Sequence, residues 1–199
     1  MQDFFTNHIE AFKTSVDQKP LCVYAVASEL DHNGVIISNV GLAMKADFID
    51  KMSKDYTVLP ILFRDKDELE TKINDLNIQK SISLLWLGGH GNSSTLGGLH
   101  ITNDLKFPKV SSSTQIILDA CSTGAGVLED SIAYKMAQDN GCTVIASKET
   151  VYRALYPRKI KYDKNGVPKI KKVRHDYHRY EYVTIQGNKE DIPVKFYQS

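Results

Sequence analysis

Apolar positions along the chain recur with two different periods, and their alternation predicts strands separated by helices. Phe5, Ile9, Phe12 and Val16 fall near helical spacing and predict an amphipathic helix over 3–16. Residues 21–28 form a short β-rich run that reads as a buried strand. Met44, Phe48, Ile49 and Met52 then share one face of a helix over 42–54. A second strand follows over 57–63, with Pro60 marking an edge or a bulge. Asp65-Lys66-Asp67-Glu68 resembles a capping box ahead of a helix carrying Leu69, Ile73 and Leu76.

Residues 81–87 predict a third strand, running into Gly88-Gly89-His90-Gly91, and residues 114–118 a fourth, ending at Asp119-Ala120-Cys121. A helix is expected directly after Cys121, with Leu128, Ile132, Ala133, Met136 and Ala137 inward and Asn140-Gly141 as its C-cap. Residues 143–146 give a fifth strand. Strands alternating with helices predict an α/β fold, a mostly parallel sheet with helices on both faces. The tail reads differently. Asp163-Lys164-Asn165-Gly166 between two β-rich runs signals a hairpin, and 180–185 and 193–197 offer further strands. The expected organisation is one domain over 1–199, with an α/β core over 1–150 and a β-rich, basic extension over 151–199.

Composition changes this picture little. A chain of 199 residues with 42% hydrophobic content supports one substantial core. No run approaches the 18 apolar residues of a membrane span, so no membrane partner is expected. Met1-Gln2-Asp3-Phe4 lacks a basic start leading into an apolar stretch, so the expected location is cytoplasmic. Delivery into another cell by a signal-less route would leave no mark here. Charge matters more. The net charge is +1, yet residues 153–179 hold ten Lys and Arg against Asp163 and Asp176. Such a segment attracts polyanions. Five tyrosines interleave with those charges, but nucleic acid is the weaker expectation.

Cys22, Cys121 and Cys142 are an odd count without CxxC spacing, which supports neither a disulfide framework nor a zinc site. Cys22 and Cys142 lie in apolar runs and read as inert core thiols. Cys121 ends a strand, as His90 does, and ligands of such sheets bind beyond the carboxyl ends of the strands. An imidazole can take a thiol proton to give a reactive nucleophile. A helix beginning just after Cys121 would favour the thiolate further. Gly124 and Gly126 would let the chain turn sharply into it. The N–H groups of Gly91 and Cys121 are candidate donors to a developing oxyanion. The plain alternative is a histidine and a cysteine that merely end two strands. His8, His32 and His100 read as helix or loop residues, and His175-Asp176-Tyr177-His178 has HxxH spacing without a third ligand.

An apolar strand ending in His-Gly and a later one ending in Asp-Ala-Cys resemble the caspase-like (clan CD) cysteine peptidases over residues 20–150. The resemblance implies His90 as the catalytic histidine, Cys121 as the nucleophile, Gly91 in the oxyanion hole, and a protein or peptide substrate. Caspases carry Gln where this chain has Asp119, and their glycine comes one place before Gly124. The pattern is nearer the metacaspases, in which the aspartate two before the nucleophile lines the S1 pocket and favours Arg or Lys. Asp119 would take that role, with Asp31 as a second candidate, while Lys148 beyond the fifth strand would oppose it. The basic tail is similar to the flap that binds inositol hexakisphosphate in toxin autoprocessing domains. Lys169, Lys171 and Lys172 are the polyanion-binding candidates. The chemistry implied requires no metal or other cofactor, such a polyanion being an activator at most. Three other readings stand beside this one: a caspase-like scaffold without activity, a different thiol acyl-transfer enzyme, and a polyanion-binding module. Acyl-transfer enzymes of that second kind usually place Cys before His in the chain.

Overall fold

The computed structural model describes residues 19–28, 39–75, 80–150, 156–174 and 181–187. The helix expected over 3–16, the strand over 193–197, and Asp31, His8, His32, His175 and His178 lie outside them. In chain order the elements begin β1 (Leu21–Ala27), α1 (Asn39–Met52), β2 (Thr57–Phe63), α2 (Lys66–Asp75) and β3 (Ile82–Gly88). A small ribbon of β4 (Thr95–Leu96) and β5 (Leu99–His100) follows, then β6 (Gln115–Asp119). After it come a 3-10 turn (Leu128–Asp130), α3 (Ile132–Asn140), β7 (Thr143–Ser147), β8 (Tyr156–Tyr162), β9 (Pro168–Arg174) and β10 (Tyr182–Gln186).

β1 is buried along its whole length, as a strand covered on both faces must be. It pairs in parallel with β2 and β3, and β6 and β7 extend the parallel run. β10 joins antiparallel to β7, giving the six-stranded order β10-β7-β6-β3-β1-β2. Pro60 sits opposite Tyr24 on β2, the terminal strand of that order, where a missing N–H breaks no ladder on the outer side. The α/β architecture is therefore the one the periodicity predicts. No helix among the described residues is long and apolar enough to cross a membrane.

Alternation along the strands sorts the core into two layers. Leu69 and Ile73 of α2 pack on one face with Ile132, Ala133, Met136 and Ala137 of α3. The other face carries Phe48, Ile49 and Met52 of α1, together with Ile170 and Val173 of β9. The β8–β9 hairpin thus shares that face with α1. It is pinned by Gln115, whose side-chain amide donates to the Ile170 carbonyl and accepts the Ile170 N–H, both at 2.8 Å. Tyr56 adds a bond from its hydroxyl to the Pro168 carbonyl at 2.8 Å.

Local chemistry explains the ends of the elements. Asp65 caps α2 by accepting the Glu68 N–H at 2.9 Å, and Glu68 reaches back to the Arg64 N–H, one residue further than a capping box requires. Gly141 ends α3 in the left-handed region. The start of α3 departs from expectation. The helix begins at Ile132 rather than just after Cys121, with Ser131 as N-cap accepting the Tyr134 N–H. The cause lies in residues 122–126. The N–H groups of Ser122 and Gly124 donate to the carbonyls of Glu149 and Ser147 instead of a helical ladder, and Gly126 has φ +79°.

Candidate active site

β3 and β6 are adjacent and parallel, with Gly88 opposite Asp119. The Gly89 N–H donates to the Asp119 carbonyl at 3.3 Å, keeping the two chains paired one residue further. His90 and Cys121 each lie two residues past the Gly88–Asp119 pair. They leave neighbouring strands, roughly 4.8 Å apart, at the same level of the carboxyl end. Both are partly buried.

The two loops are packed together. A Cβ on Gly91 would lie 3.0 Å from Ala120 Cβ and 3.2 Å from Thr123 Cγ2, residues that flank Cys121 on either side. It would also come 2.9 Å from the Thr95 carbonyl oxygen. Glycine is required here by close approach rather than by φ. On its other side Gly91 bridges Leu96, with the Asn92 N–H bonded to Thr95 and the Gly97 N–H to His90. That pattern turns the Gly91 N–H away from Leu96. Among the described residues it has no acceptor.

The expected helix terminus behind Cys121 is absent, and the positive end of α3 is engaged elsewhere. Its Ile132 N–H donates to the Ser93 carbonyl at 2.7 Å, and its Ala133 N–H to the Thr123 carbonyl at 3.3 Å. The first turn of α3 therefore ties the His90 loop to the Cys121 loop. Gly124 serves packing, since its Cβ would fall 2.4 Å from Val183 Cγ1, whereas Gly126 serves conformation. Two features of this loop carry no mark in the sequence. Ser122 has φ +53°, and the Thr123 hydroxyl is fully buried without a hydrogen-bond partner among the described residues.

Asp119 points to the α1 side of the sheet, where its carboxylate accepts the Trp86 indole N–H at 3.3 Å. Trp86 meets Phe48 edge-on at 4.7 Å, and Phe48 stacks on Tyr24 at 4.3 Å. Asp119 is thus a half-buried carboxylate at the rim of an aromatic cluster. Lys148, the cation expected to oppose it, pairs with Glu181 at 3.1 Å. Asp31 lies outside the described residues. The other cysteines are poor nucleophiles, because burial drives the Cys22 thiol far above its ordinary range and the Cys142 thiol up to about 12. Among the described residues no cluster of three His, Cys, Asp or Glu could hold a metal ion.

Of the basic candidates, Lys169 sits apart from this end. Lys169 donates to the Ser113 carbonyl, just before β6 begins, so it lies at the amino ends of the strands. Burial lowers its ammonium pKa. Lys171 is exposed, and the register sets Lys161 opposite Lys169 and Lys159 opposite Lys172. A flap standing beside Cys121 does not describe Lys169. The hairpin runs along the sheet face, and its turn lies at the far end. Compared with known proteins, the chain matches no family model and no curated protein.

Proposed function

We propose that this chain is a cysteine-type endopeptidase of the caspase-like kind, with Cys121 as nucleophile and His90 as general base. One observation carries the reading: the two residues leave adjacent parallel strands at the same offset from a registered pair, in loops that touch at Gly91, Ala120 and Thr123. In the proposed reaction His90 takes the thiol proton as Cys121 attacks a peptide carbonyl. The oxyanion is met by the Gly91 N–H, as the family resemblance implies, and by the Cys121 N–H. Collapse expels the amine, which receives the proton from His90, and water then releases the acyl group. With α3 starting eleven residues beyond Cys121, activation of the thiol rests on His90 rather than on a helix terminus.

A P1 Arg or Lys fits Asp119, a half-buried carboxylate at the carboxyl end of β6 whose charge complements a guanidinium or ammonium. The test is alkylation of Cys121 by a peptidyl electrophile beside cleavage of a peptide library. Cys121→Ala and His90→Ala should each abolish cleavage, and Asp119→Asn should lose basic-P1 substrates disproportionately. Cleavage surviving in Cys121→Ala, or a Cys121 no more reactive than free cysteine, would sink the peptidase reading and leave a caspase-like scaffold. The register favours a second reading for the tail, because like charges set directly opposite on a ribbon repel until an anion joins them. Inositol hexakisphosphate or another compact polyanion is the proposed ligand of Lys169, Lys171 and Lys172. A melting temperature unmoved by a polyanion panel at low salt counts against it.

A further inference from the structure

We infer that Ser122 is a positioning residue for Cys121, a left-handed link held in place so that the preceding thiol keeps one direction. The inference rests on the nucleophile role proposed above and adds a residue to that site. The chain has a clear habit where the backbone turns left-handed. Gly97, Gly126, Gly141 and Gly166 occupy such positions with φ between +54° and +79°. Among the described residues two non-glycines break it: Lys109, in a turn ahead of β6, and Ser122, directly after Cys121. A β-carbon disfavours that region, since it crowds the neighbouring carbonyl.

Such a conformation persists only where its surroundings over-determine it. Here they do. The Ser122 N–H donates to the Glu149 carbonyl and the Gly124 N–H to the Ser147 carbonyl, each at 2.8 Å. The Ala125 N–H returns to the Ser122 carbonyl at 3.0 Å, closing the turn. Ser147 and Glu149 are themselves fixed, the Ser147 hydroxyl donating to the Glu149 carbonyl at 3.0 Å. Thr123 is fully buried against Gly91, with a hydroxyl that finds no partner among the described residues. Two unfavourable features thus stand side by side next to Cys121, in a loop otherwise tightly bonded. A glycine at 122 would relieve the crowding, but it would also open other backbone basins to the residue that aims the thiol. The hydrogen bonds hold the link left-handed, and the serine β-carbon closes the further basins that only glycine can enter.

The experiment compares wild type, Ser122→Gly and Ser122→Ala by thermal melting, by the rate of Cys121 alkylation with iodoacetamide and a peptidyl electrophile, and by kcat and KM on a cleaved peptide. Ser122→Gly should melt no lower than wild type, yet alkylate and turn over about tenfold or more slowly, with KM unchanged. Ser122→Ala, which keeps the β-carbon, should stay within about twofold of wild type, since it excludes the same glycine-only basins. Ser122→Gly with wild-type alkylation and kcat overturns the inference while leaving the nucleophile reading intact. A wild-type Cys121 no faster than free cysteine overturns both. A kcat loss in Ser122→Ala equal to that in Ser122→Gly would assign the effect to the hydroxyl and overturn the backbone argument.

Discussion

Replacing Gly91 by alanine tests whether the contact between the two loops is catalytic or merely structural. The added methyl would meet Ala120 Cβ at 3.0 Å, Thr123 Cγ2 at 3.2 Å and the Thr95 carbonyl oxygen at 2.9 Å. None of these is the free end of a flexible chain, so backbone must shift. Overpacking of this kind costs about 1–3 kcal/mol. For a chain of this length that corresponds to a fall of roughly 4–8 °C in melting temperature at about 2 kcal/mol. Domains start with about 5–15 kcal/mol, so the variant remains essentially folded at 25 °C. Cys121 reactivity should fall much further, because the shift separates the His90 loop from the Cys121 loop and moves the Gly91 N–H. Losing one aligned oxyanion donor alone lowers turnover by about a hundredfold or more. The check is melting temperature beside alkylation and peptide cleavage at 25 °C, with Gly126→Ala as a control. That control should cost about 1 kcal/mol of left-handed strain, with nothing within 4 Å to displace. A Gly91→Ala protein that keeps half or more of its wild-type rate would refute the reasoning.

Gln115→Met should orphan both polar groups of Ile170 and destabilise the fold by about 2–5 kcal/mol, with protease sensitivity rising first in residues 156–174. Equal protection of that hairpin in both proteins would contradict its pinning by Gln115. Native-state mass spectrometry after thiol alkylation should find Cys121 modified and Cys22 and Cys142 protected until unfolding, as their burial requires. Partial burial pushes the Glu68 carboxyl up, but hydrogen bonds from Lys72 and Arg64 outweigh it and hold it at about 2. Its contribution is therefore present above the ordinary value of 4.5 and lost as pH falls towards 2, so the melting curves of wild type and Glu68→Gln should converge across that window.

Much of the sheet was legible because its strands are short apolar runs between polar punctuation. Periodicity predicts β2 at its observed bounds, and Pro60, which marks an edge or a bulge, stands on an edge strand. The ends of β3 and β6 were also legible, and with them the positions of His90 and Cys121. What misled was Leu128, which stands four residues before Ile132 and made α3 look continuous with the Cys121 loop. The bonds that interrupt it come from Ser147 and Glu149, partners distant in sequence and invisible to periodicity. Gln115 is a signal that periodicity alone does not weigh. A buried amide inside an apolar strand needs a backbone partner, and that partner is the hairpin. Ser122 gave no signal, since serine does not mark a left-handed residue as glycine does.

The first turn of α3 gives the two loops a common bracket. Ser93, three residues beyond His90, and Thr123, two beyond Cys121, both hang by their carbonyls from consecutive amides of one helix. Rocking or sliding of α3 therefore carries both loops the same way, and the separation between them changes little. Motions that would detune a pair mounted on independent supports become common to both members and cancel. The same mounting defines a weak point. A ligand or substitution that pries Ile132 from Ser93 would release one loop while the other stays bound, which turns a shared displacement into a relative one.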